Sequence, residues 1–122
     1  MLELADRGPG TCLQAAPDLG PEVAGIPTVP CTEEHTHELY AVVPYEGDVF
    51  PGLAALAAFA ERVCVAEFEP YVGISVFDST LTFSWLVPTL ASWNNNDDRD
   101  VLCVVGPFDG SSLSVSVKDS QR

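Results

Sequence analysis

Apolar and polar positions change period several times along this chain. Residues 1–10 are mostly polar and carry glycine and proline, which predicts a loose lead-in and places the folded domain at residues 11–122. Residues 11–15 predict a short edge strand. Pro17, Pro21, Pro27 and Pro30 then exclude a regular helix from residues 16–30 and leave room only for short extended pieces. Residues 37–43 predict the next strand, ended by Pro44, and residues 45–48 a turn.

Residues 51–68 predict the main helix. Pro51 suits a first helical turn, and Leu53, Leu56, Ala57, Ala60, Val63 and Cys64 form one apolar stripe. Pro70 and Gly73 bound it on the far side. Strict alternation over residues 80–85 predicts a half-buried strand. Pro88 then opens one helical turn, and residues 94–100 read as a polar loop. Residues 101–105 predict a strand with Val101, Cys103 and Val105 on one face, and residues 113–117 alternate as an antiparallel strand. The sum is an α+β fold, a small and mostly antiparallel sheet of four or five strands packed against one main helix, with two disulfides. No repeat or interdomain linker interrupts it.

The chain has four cysteines, Cys12, Cys31, Cys64 and Cys103, with no CxxC pair of the zinc-ribbon or thioredoxin type. Cys64 lies on the apolar stripe of the helix and Cys103 on the core face of a strand, so packing helix on sheet brings these two sulfurs together. Cys12 and Cys31 are left for each other, in stretches with little regular structure where a cross-link adds on the order of 3 kcal/mol. Four reduced, buried thiols are the alternative reading. Disulfides point to an oxidising compartment, and with it to a domain outside the cytoplasm.

With 122 residues, 47% of them hydrophobic, the chain suits one domain with a real core. Eighteen acidic against five basic residues give a net charge of −13. That charge repels phosphate backbones and anionic lipid, which disfavours nucleic acid as a partner and leaves cationic surfaces, peptides or metal ions. It also simply keeps a secreted domain soluble. No apolar run is long enough to span a membrane, and the residues after Met1 lack the pattern of a signal peptide. Membrane attachment is therefore expected only through a signal or anchor ahead of Met1 in the full gene product.

Candidate chemistry is sparse. Glu33, Glu34, His35, His37 and Glu38 place two imidazoles among three carboxylates, a density that suits a divalent metal. If His37 begins a strand, His35 and His37 share a face at about 7 Å, long for chelating one ion, and a solvated strand edge explains the cluster as well. Residues 94–100 resemble a calcium loop in composition. An EF-hand counted from Asn94 needs glycine and glutamate where Arg99 and Val105 stand, so a polar turn with Arg99 paired to a neighbouring carboxylate is expected instead. No GxSxG, SxxK or phosphate-binding glycine loop occurs, and no catalytic residue, metal or cofactor is assigned. Tyr40, Tyr45, Phe50, Tyr71, Trp85 and Trp93 suit core packing, with a groove as the alternative.

Several residues recur in one order. Val29, Pro30 and Cys31 precede His35 and Glu38; Phe50, Pro51 and Gly52 follow; then come Cys64, Phe68, Tyr71 and Gly73, then Pro88, Thr89, Ser92 and Trp93, then Asp98, Arg99 and Cys103. In this order and spacing the chain resembles the septum-formation family of actinobacteria, over about residues 12–112. Phe50 stands where that pattern has tyrosine, and Asp97 where it has glycine before Asp98 and Arg99. The resemblance implies an extracytoplasmic domain of a membrane-anchored protein or lipoprotein in cell-envelope or septum assembly, with no catalytic activity. Its partner is then another envelope or division protein. His35, Glu38, Trp93, Asp98 and Arg99 are the polar or aromatic positions carried over, as a ligand site or as a structural polar network. A small-molecule or metal sensor using His35 and His37 is the competing function.

Overall fold

The computed structural model describes residues 8–14 and 28–122. Residues 1–7 of the expected lead-in and 15–27 of the proline-rich stretch lie outside the described residues. Five strands form one antiparallel sheet: β1 (Cys12–Leu13), β2 (Thr28–Val29), β3 (His37–Pro44), β4 (Leu81–Leu86) and β5 (Asp100–Pro107), in the order β2-β1-β3-β5-β4. Helix α1 (Leu53–Val72) packs on one face, and a short α2 (Leu90–Asn96) connects β4 to β5.

The strand period decides what α1 meets. Val101, Cys103 and Val105 alternate with Leu102 and Val104 along β5, so each set takes one side of the sheet. Cys103 and Val105 of the first join Tyr40, Cys64, Phe68 and Val72 in the main core, and the second joins Leu13, Leu39 and Leu86 in another apolar cluster. In β3 the register shifts between Leu39 and Ala41, a bulge that brings the neighbours Tyr40 and Ala41 into the same core. Tyr40 thereby reaches α1, stacks edge-on to Phe68 and donates its hydroxyl to the Cys64 carbonyl at 2.6 Å.

Helix α1 differs from the expectation at both ends. It begins at Leu53, with Gly52 as N-cap, and Leu53 stays 60% exposed. Its buried residues are Leu56, Ala60, Cys64, Phe68 and Val72, a four-residue spacing that runs through Pro70. The helix survives that proline because Phe68 and Val72 are anchored in the core on either side of it, and it stops where Gly73 takes the left-handed conformation and donates to the Glu69 carbonyl.

Residues 113–117, expected as a strand, form none. Leu113 makes one antiparallel bridge with His35, and Val117 is buried, but Val115 between them is 57% exposed. One bridge and one carboxylate replace a ladder there. The expected loop at 94–100 loses its first three residues to α2, which begins with a capping box between Thr89 and Ser92.

Both disulfides join the partners expected, Cys12 with Cys31 and Cys64 with Cys103. The second ties α1 to the interior strand β5 through the core, with both residues fully buried.

Candidate functional site

The five carried-over positions separate into two centres. Glu38 pairs with Val105 near the start of β3, whereas Asp98 and Arg99 adjoin the pair Pro44 and Asp100 at its other end. The strand between the two pairs spans about 20 Å at a rise of about 3.3 Å per residue.

Glu38 is fully buried at the first centre. A carboxylate tolerates such burial only when its oxygens are hydrogen-bonded. The Val117 backbone N–H donates to Oε1 at 3.0 Å, the Ser116 hydroxyl to Oε2 at 2.8 Å, and the Tyr71 hydroxyl to Oε2 as well. Glu38 thus gathers the C-terminal segment and the end of α1 onto β3. Burial raises the Tyr71 hydroxyl well above the ordinary phenol range, and the Glu38 carboxylate, as acceptor and as charge, adds to it. Cys12 Sγ lies 3.6 Å from Oε1.

His35 lies beside this carboxylate. Its backbone exchanges two 2.8 Å hydrogen bonds with Leu113, and its Nδ1 is 2.7 Å from the Glu33 carbonyl oxygen. A His35 ring nitrogen, Cys12 Sγ and a Glu38 oxygen lie within 4.8 Å of one another. His37 is outside this group. It is half-buried, contacts the Thr36 hydroxyl at 3.0 Å, and has its pKa lowered by burial. The pair weighed in the competing metal reading, His35 and His37, is therefore not the one that converges; Cys12 and Glu38 lie beside His35 instead. Glu33 and Glu34 are exposed, and Glu33 serves His35 through its backbone.

The second centre is built around Arg99. Its guanidinium carbon stacks 3.6 Å over the Trp93 ring, Nη1 donates to the Trp93 and Asp98 carbonyls at 3.2 and 3.3 Å, and Nε donates to the Gly47 carbonyl at 3.2 Å. Nη2 pairs with Asp97 at 3.2 Å, the neighbouring carboxylate expected for it. Asp98 is buried, and its Oδ1 accepts the Asp100 backbone N–H at 3.1 Å. Tyr45 and Phe50 pack against Trp93, and Phe59 of α1 packs against Tyr45. One arginine therefore closes three segments over one indole: the loop after β3, α2 and the turn into β5.

The reading of the sequence missed Tyr71 and Ser116 as partners of Glu38, and Gly47 as a partner of Arg99. Tyr71 stood in the recurrent pattern, so it was visible as a position though not as a contact. Ser116 and Gly47 are 78 and 52 residues away from their partners, and no local signal connects them.

A model of the septum formation family matches residues 5–105. The chain belongs to that family. The match ends earlier than the resemblance over 12–112 implied, and it leaves Ser116 and Val117 outside the matched part. Two curated relatives, each named "Putative lipoprotein LppN", from Mycobacterium tuberculosis and Mycobacterium bovis, are each 29% identical over 111 residues, covering 89% of this chain and 61% of the relative. The chain thus spans about three-fifths of the length of the curated relatives it matches. No solved structure matches it significantly.

Asp97, where the resemblance implied glycine, closes α2 at φ 54°, in the left-handed region that favours glycine.

Proposed function

We propose that this domain is a non-enzymatic binding or scaffolding module outside the cytoplasm, held at the envelope through a part of the protein beyond this chain and used in septum or envelope assembly. Family membership supports the envelope setting. The two disulfides and the mycobacterial relatives named as lipoproteins support an extracytoplasmic, membrane-anchored location.

The observation that carries a binding role is the pair Phe77 and Phe108, which are 84% and 78% exposed. Phe77 lies in the 3-10 turn Val76–Asp78, three residues before Thr80, and the Phe108 N–H donates to the Thr80 carbonyl at 3.0 Å. Both residues thus lie near the start of edge strand β4. Two phenylalanines left in water near one end of that strand, the only aromatic rings among the exposed large apolar residues described, suit a protein contact. The net charge of −13 favours a partner with a basic rim.

The test is localisation in growing cells. A fluorescent fusion of the full-length protein is expected to concentrate at septa, and the double variant F77S/F108S to stay membrane-bound and folded while losing that enrichment. Even distribution of the wild-type fusion along the envelope overturns the septal role.

A further inference from the structure

His35 uses one ring nitrogen and leaves the other idle. Nδ1 lies 2.7 Å from the Glu33 carbonyl, and a carbonyl only accepts, so the proton sits on Nδ1 and Nε2 keeps its lone pair. Nε2 is buried and has no hydrogen-bond partner among the described residues. A histidine that ligates a metal is held in this way, its other N–H given to a backbone carbonyl. The Glu38 carboxylate is likewise oriented by Tyr71, Ser116 and Val117, as ligating carboxylates are. A His35 ring nitrogen, a Glu38 oxygen and Cys12 Sγ lie within 4.8 Å of one another, all three residues buried. The sulfur alone is engaged covalently, in its bond to Cys31.

We propose that Cys12, His35 and Glu38 form a zinc-type cation site masked by the Cys12–Cys31 disulfide, so that one sulfur serves either the disulfide or the metal. One thiolate, one imidazole and one carboxylate suit a tetrahedral, borderline-soft ion, and three protein ligands leave the fourth position to water. Ligand atoms around zinc lie about 3.3–3.7 Å apart, so the group contracts by roughly an ångström on binding, a movement that release from Cys31 permits.

Access runs through Cys31. A cavity of about 440 Å³ is lined by both cysteines together with Gly10, Thr28 and Pro30, and Cys31 is half-buried whereas Cys12 is buried. A thiolate of a thioredoxin-type dithiol attacks Cys31 Sγ, and Cys12 leaves as the thiolate. The second thiol of the reductant then resolves the mixed disulfide. The reductant ends as a disulfide, and this chain has gained two electrons and two protons. Metal binding returns the Cys12 proton to solvent. Reoxidation reverses both steps and expels the ion. The site is independent of the septal role.

Cobalt titration of the whole chain tests this. The C31S variant frees Cys12 without reductant and is expected to bind one Co²⁺ per chain with a near-ultraviolet thiolate-to-metal band that zinc abolishes. The oxidised wild type and the C12S variant are expected to show no such band. Adding H35Q to C31S should weaken binding by at least about tenfold. A folded C31S protein without the band, or an equal band in C12S, overturns the proposal. If C31S does not fold, wild-type protein reduced with a phosphine takes its place, and absence of the band there overturns it equally.

Discussion

The Tyr71 hydroxyl donates to the Glu38 carboxylate, fastening the last turn of α1 to the start of β3. The contact spans 33 residues of sequence and is made inside the fold, where the acceptor is fully buried. Y71F leaves the carboxylate with Ser116 and Val117 and is expected to cost about 1–2 kcal/mol. E38A strands all of its donors and is expected to cost about 3 kcal/mol or more. Urea unfolding followed by tryptophan fluorescence measures both, and equal costs for the two variants contradict the role given to Glu38.

Stability should fall at both ends of the pH scale. Burial raises Tyr40 and Tyr71 well above the phenol value of 10.0, so the unfolded chain loses these protons first. Their contribution is present below about pH 10 and is lost as pH rises further, and Y71F should flatten that alkaline limb. His37 has a folded pKa below 6.5, so the unfolded chain binds its proton more readily and stability declines as pH drops through that value. Thermal melts between pH 5 and 11 test both limbs.

The two disulfides should open in sequence. Cys64 and Cys103 are fully buried, whereas Cys31 is half-buried, so mild reductant should release Cys12 and Cys31 while the core bridge persists. Alkylation and mass spectrometry read the order. Cross-links spanning 19 and 39 residues restrict the unfolded chain by about 3 and about 4 kcal/mol respectively, so replacing the Cys64–Cys103 pair should cost more.

At the second centre, R99K keeps the charge but loses the planar stack on Trp93 and the fan of carbonyl contacts. A loss of about 1–2 kcal/mol is expected, with a change in Trp93 fluorescence.

Asp97 offers a gain. Its left-handed backbone favours glycine, and its carboxylate is 92% exposed, so the pair it makes with Arg99 contributes little. D97G should leave stability unchanged or raise it by up to about 1 kcal/mol, whereas D97A, which loses the side-chain help that lets aspartate adopt this conformation, should lower it. Chemical denaturation of the two variants side by side settles the sign.

The sequence by itself determined the local periods and, through them, the parts of the fold that depend on one element meeting another face to face. Cys64 on a helical stripe and Cys103 on an alternating strand were enough to pair the cysteines. Leu113, Val115 and Val117 alternate as perfectly as any strand in the chain, yet tertiary structure made only one bridge of them, because the Glu38 carboxylate took the Val117 N–H that a ladder would have used. Pro70 marked a helix end that packing of Phe68 and Val72 carried past. His35 and Glu38 stood out as a pair near Cys31, but only the pairing of β1 with β3 set Cys12, not His37, beside them. Trp93, Asp98 and Arg99 were visible by position, while their separation from His35 and Glu38 was decided by the length of β3. Periodicity is a property of neighbours in the chain; which buried polar groups share a hydrogen bond depends on distances across the fold that no local pattern encodes.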